Sequence, residues 1–175
     1  MSPPADTLAP WHEFYTLLGT ASATMVGLLF VAASVSAGVF SADRRAPLRI
    51  FLSASVVHFS SILAASLIVL TPVRSWLVFG VLILACALVG LGYSCLAWRD
   101  TVRDGLSASI AWDDRLWYIA LPIAGYLFEA GSGVALTLQL APACAALAVS
   151  MGILLLVGIH NAWDITVWTI TRRRE

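Results

Sequence analysis

The sequence predicts an all-α fold, a polytopic membrane bundle of five transmembrane helices with its N-terminus outside and its C-terminus in the cytoplasm. Three observations predict it. The first is composition: the 175 residues are 60% hydrophobic and 11% charged, and the mean hydropathy is +0.90, where an ordinary soluble domain is about 45–50% apolar and about 25% charged. Too little polar surface remains to cover a globule in water. The second is the spacing of charges, which leaves intervals long enough for the roughly 20 apolar residues that a crossing needs. The third is the distribution of arginine, which falls almost wholly on one side of those intervals.

No charge occurs between Glu13 and Asp43, so the first span is expected over about 14–40. Arg49 and Arg74 bracket the second, about 50–70, and Arg74 and Arg99 the third, about 76–98. From Leu116 to Trp163 the sole charge is Glu129. That stretch is too long for one crossing, and Gln139 and Pro142 suit a tight hairpin within it. It divides into spans at about 116–138 and 143–163. The segment before Glu13 lacks a basic n-region and precedes an apolar run too long for a signal peptide, so the first helix is expected in the mature protein. The whole chain, 1–175, reads as one transmembrane domain.

An odd number of spans puts the termini on opposite sides. Arg44, Arg45, Arg49, Arg99, Arg103, Arg115 and the tail Arg172, Arg173 and Arg174 make nine arginines on one side, with Arg74 alone on the other. The positive-inside rule assigns the nine to the cytoplasm. Trp11 and Trp76 then mark the outer interface, and Trp98, Trp117, Trp163 and Trp168 the inner one. Arginine as the sole basic residue in an Ala-rich chain is what GC-rich codons produce. The expected location is therefore a bacterial inner membrane. In the loop 99–115, Val102, Leu106 and Ile110 recur at helical spacing, as in a short interfacial helix; a solvated connector is the alternative. Asp113 and Asp114 stand where the fourth helix begins, as capping and the helix dipole favour.

Net charge is zero, with no polybasic or acidic run, so no nucleic-acid partner is expected. Cys86, Cys95 and Cys144 lie in apolar runs without a C-x-x-C pair or zinc-type spacing, and read as small buried hydrophobes. No metal or cofactor is expected, and disulfide oxidoreductase chemistry is excluded.

Glu129 is the sharpest feature. It lies near the middle of span four, where an acidic residue costs about 2.5–3.5 kcal/mol on insertion scales. Gly125 and Gly133, one turn to either side, offer access to a neighbouring backbone or to water, and Pro122 removes a helical donor two turns earlier. The carboxyl suits a proton or cation site, or a neutral group bonded to a nearby Ser or Thr. His58 lies in span two with Ser55 and Ser61 about one turn away. At 1.5 Å per residue it sits about 12 Å from the inner boundary and Glu129 about 20 Å, an offset of about 8 Å that one or two waters can bridge if the helices face each other. His160, Asn161 and Asp164 form a polar cluster at the inner end of span five, where His160 and Asp164 are i, i+4 neighbours suited to a side-chain pair or to interfacial anchoring. Gly19, Ala23 and Gly27 form a small-residue stripe in span one, suited to close helix packing within a protomer or between subunits. The segment Ala130-Gly131-Ser132-Gly133 approaches the G-x-S-G of rhomboid proteases, but Ser132 and His160 lie toward opposite ends of their spans, too far apart for a nucleophile–base pair.

Trp11-His12-x-Phe14-Tyr15, Leu18-Gly19-Thr20, Gly27-Leu28-Leu29-Phe30 and the closing Asn161-Ala162-Trp163-Asp164 resemble small bacterial multi-pass membrane proteins of unassigned function. That resemblance covers most of the chain and implies no activity. The translocator-protein family agrees in length and span number only, since its W-x-P-P-type loop signature is missing. Two functional expectations follow, neither enzymatic. One is an oligomeric ion or proton channel or small transporter, with a polar path through Glu129 and His58. The other is a membrane scaffold or accessory subunit whose polar residues lock helices together. The expected partners are the lipid bilayer and either further copies of the chain or another membrane protein.

Overall fold

The computed structural model describes residues 4–39, 42–103 and 112–171, and every element within them is helical. A short α1 (Pro4–Leu8) and one 3-10 turn (Ala9–Trp11) lead into α2 (His12–Val39). Then come α3 (Ala42–Leu70), α4 (Trp76–Arg103), α5 (Trp112–Arg115), a π turn (Leu116–Ala120), α6 (Leu121–Thr137) and α7 (Ala143–Thr171). Four segments are long and apolar enough to cross a membrane: Asp6–Val35, Trp76–Arg99, Trp112–Thr137 and Ala143–Asp164. In α3 the residues whose side chains are described form a further apolar stretch, Ala54–Leu70.

The helices extend beyond several of the expected spans. Arg44, Arg45 and Arg49 ride on the first turns of α3 instead of a separate loop, and α4 continues to Arg103, beyond Trp98. Most of the interfacial segment expected around Leu106 and Ile110 lies outside the described residues. Between α3 and α4, Pro72 stops the helix, and the Ser75 hydroxyl accepts the Val78 N–H at 3.5 Å to cap the next. The α6–α7 hairpin closes as a Schellman motif: Leu140 N–H reaches Ala135 O, Gln139 N–H reaches Leu136 O, and Gln139 takes a left-handed φ of 57°.

Helices α3, α4, α6 and α7 form a ring, each packed against the next and α7 closing back onto α3. Consequently α3 and α6 face each other across one diagonal, and α4 and α7 across the other. Helix α2 lies outside the ring against α3 and touches α7, where the Tyr15 hydroxyl donates to Cys144 O at 3.0 Å. Glycines set the closest approaches. A Cβ on Gly80 would stand 2.5 Å from Gly133 O, and one on Gly133 would stand 2.8 Å from the Leu84 nitrogen, so the α4–α6 crossing is backbone against backbone.

Polarity is inverted relative to a water-soluble bundle. Leu17, Phe30, Leu77, Val89, Leu127 and Leu156 face outward, whereas Ser22, Ser55, His58, Ser66, Glu129, Ser132, Ser150 and Asn161 are buried. An apolar coat around a core with polar members suits a hydrocarbon solvent.

Candidate functional site

Two of the buried polar groups meet across the ring. His58 of α3 and Tyr126 of α6 span the diagonal, with His58 Nδ1 and the Tyr126 hydroxyl 2.9 Å apart. Two long side chains bridge here because the facing backbones are separated by a full diagonal. The Tyr126 ring lies directly over Gly90 of α4, where a Cβ would stand 2.1 Å from the ring edge. Gly90 thus makes the space in which the phenol reaches His58. Ser61 approaches the same phenol from α3 without reaching hydrogen-bond geometry.

Glu129 follows Tyr126 by three residues and shares its face of α6. It is 0% exposed, and neither carboxyl oxygen has a hydrogen-bond partner. Cys86 of α4 and Tyr126 lie within electrostatic reach of it. Fully buried Ile62, Ile83, Met151 and Leu154 supply the rest of the axial packing. The flanking glycines give close approach to neighbouring helices, one of the two uses expected of them. Gly125 receives the Leu154 side chain, and Gly133 receives the α4 backbone at Leu84. The expected Ser or Thr partner of the carboxyl is also missing, because Ser132 and Ser150 donate to Phe128 O and Leu147 O within their own helices, each at 2.8 Å.

The side chain that reaches His58 from the Glu129 helix is Tyr126. Its signal was present in the sequence: a phenol three residues before the one intramembrane carboxylate must share its helix face.

At the other end of the axis, His160, Asn161 and Asp164 separate into distinct roles. His160 stacks on Trp117, with centroids 3.9 Å apart and planes at 17°. Asp164 accepts the Tyr118 hydroxyl at 2.8 Å. The i, i+4 spacing therefore serves two anchors onto the π turn. Asn161 points inward, is 0% exposed, and leaves both its amide nitrogen and oxygen without a partner. Ser55 is buried and its hydroxyl likewise lacks a partner.

Of the small-residue stripe, Gly19 packs against α3, where a Cβ would stand 2.9 Å from that of Ser66. Ala23 is exposed, and nothing lies within 4 Å of a Cβ on Gly27. Within the protomer the stripe is thus a single contact at Gly19. Among the described residues, no group of three His, Cys, Asp or Glu side chains is placed to hold one metal ion. Compared with protein families, curated proteins and solved structures, the chain matches none.

Proposed function

We propose that the protein is a small integral membrane protein that carries protons through its helical bundle, with Glu129 as the exchanging carboxyl and Tyr126 and His58 as the next groups along the axis. The single observation that carries this reading is the Glu129 side chain, wholly buried at the centre of the ring with both oxygens unpartnered. A structural carboxyl in so apolar a setting would be expected to bond a neighbouring hydroxyl, since an unsatisfied buried polar group costs about 1–3 kcal/mol. A metal cation such as Na⁺ would need a shell of oxygens to replace its water, and the Glu129 oxygens have no polar neighbour at hydrogen-bond distance to start one. A proton needs no shell. A proton leaving Glu129 is passed by an intervening water to the Tyr126 oxygen as that hydroxyl passes its own proton to His58 Nδ1. Tyr126 ends neutral, His58 ends as the cation and Glu129 as the carboxylate.

The test is proton flux in liposomes, read with a pH-sensitive dye under an imposed gradient. Wild type conducts, Glu129→Gln abolishes conduction while remaining folded, and a membrane-soluble carbodiimide blocks wild type by modifying Glu129. Absence of flux in wild type over a wide pH range would sink the reading.

A second reading, a scaffold or accessory subunit, is favoured by the complete burial of Glu129. In that case Glu129→Leu would raise thermal stability, because a buried polar group without partners is replaced by a packed apolar one.

A further inference from the structure

Three observations meet at one level of the bundle. The Phe59 ring of α3 fills the space over Gly158 of α7, with its tip 2.8 Å from where a Cβ would stand. The two helices run antiparallel, so one turn beyond this contact Ser55, four residues before Phe59, comes level with Asn161, three residues after Gly158. Both are 0% exposed, and the Ser55 hydroxyl and both polar atoms of the Asn161 amide have no partner. The third observation is the π turn. The Leu121 N–H bonds to Leu116 O and Pro122 has none, so the Trp117 carbonyl receives no helical donor from either residue. The Trp117 ring stacks on His160, the residue before Asn161, so the opened turn packs against this part of α7.

A hydroxyl and a carboxamide without partners thus lie level with each other, beside a turn whose usual helical donors to the Trp117 carbonyl are displaced or missing. Buried water characteristically joins such groups, making about three bonds to them. We propose that Ser55, Asn161 and the opened turn at Trp117 form an internal water-binding station, through which the His58–Tyr126–Glu129 core exchanges protons with the aqueous phase at the C-terminal end of α7. The second half of this statement rests on the proton reading above; the first half does not.

From the C-terminal end of α7 inward, Asp164, Asn161 with Ser55, and His58 with Tyr126 succeed one another toward Glu129. Beyond Glu129 along α6, Ser132 is buried as well. The station serves one of the two ends that a path through the bundle needs.

Asn161 is the sole asparagine in the chain, so ¹⁵N-asparagine labelling gives one side-chain amide signal. In liposomes, water-edited solid-state NMR should show rapid transfer of water magnetisation to that side-chain amide. Its own backbone amide, bonded within α7, serves as the dry reference. Equal, slow transfer to both would overturn the station. Asn161→Leu and Ser55→Ala should lower proton flux severalfold while Glu129 still reacts with the carbodiimide. A wet amide with unchanged flux in both variants would overturn the link to the core. A wild type without flux would sink the proton reading and leave the amide spectrum to decide the station.

Discussion

At the residue scale, the His58–Tyr126 contact depends on a residue that touches neither group's polar atoms. Gly90 is occupied by the Tyr126 ring so closely that even a methyl would overlap it. Gly90→Ala is therefore expected to push the phenol off His58 and to destabilise the bundle by about 1–3 kcal/mol, the usual cost of overpacking. Tyr126→Phe removes only the hydrogen bond and should cost about 0.5–1.5 kcal/mol. Thermal unfolding in detergent separates the two: the glycine variant must unfold at the lower temperature, and the reverse order would mean that packing over Gly90 is slack. Glu129, His58 and Asn161 stood out in the sequence because a polar group in an apolar run is conspicuous. Tyr126 did not, since a tyrosine among membrane helices is unremarkable until its partner is known, and Gly90 stood out only as one of a weaker small-residue repeat with Cys86 and Ser94 in span three. Which small residues are close contacts depends on the neighbour that arrives, and helical spacing alone does not specify it.

At the element scale, the α4–α6 crossing at Gly80 and Gly133 brings backbone to backbone, while the outer part of the α2 stripe meets nothing. The two positions give opposite expectations for one substitution. Gly133→Leu must separate α4 from α6 and lower the unfolding temperature strongly, because a whole side chain would enter the Leu84 backbone. Gly27→Leu should leave protomer stability nearly unchanged, since open space surrounds that position. If Gly27→Leu instead shifts the size of the detergent-solubilised particle, the outer face of α2 joins subunits. Element positions were legible because charges and turn residues punctuate the chain: Arg74 and the Gln139–Pro142 turn fall between helices, whereas Arg99 lies within α4, which runs on to Arg103. The π turn was half legible. Pro122 announced a lost hydrogen bond, but whether the helix kinks, breaks or widens depends on what it packs against. Here Trp117 on His160 and Tyr118 on Asp164 hold the widened turn to α7.

At the scale of the whole molecule, the open question is how the ring sits in the bilayer. Helix α3 is free of charge from Ile50 to Leu70, and α2, α4 and α7 all pack against it. That length rises about 30 Å, close to the thickness of the hydrocarbon core. Its contacts fix its depth as well, because Ser66 lies level with Gly19 and Phe59 level with Gly158. A helix held at the depth of its membrane-spanning neighbours is expected to cross with them. The crossing number is then five, and the arginine asymmetry of nine to one predicts an outer N-terminus and a cytoplasmic C-terminus. The polar end of the axis, marked by Asp164 and Asn161, would open to the cytoplasm. Fusions at each end test this directly: a phosphatase that works only outside the membrane should be active at the N-terminus and silent at the C-terminus, and a fluorescent protein that matures only in the cytoplasm should report the reverse. Both termini on one side would mean that α3 enters and leaves by the same face. In that arrangement His58 could not lie at mid-depth opposite Tyr126, and the axial site itself would have to be abandoned.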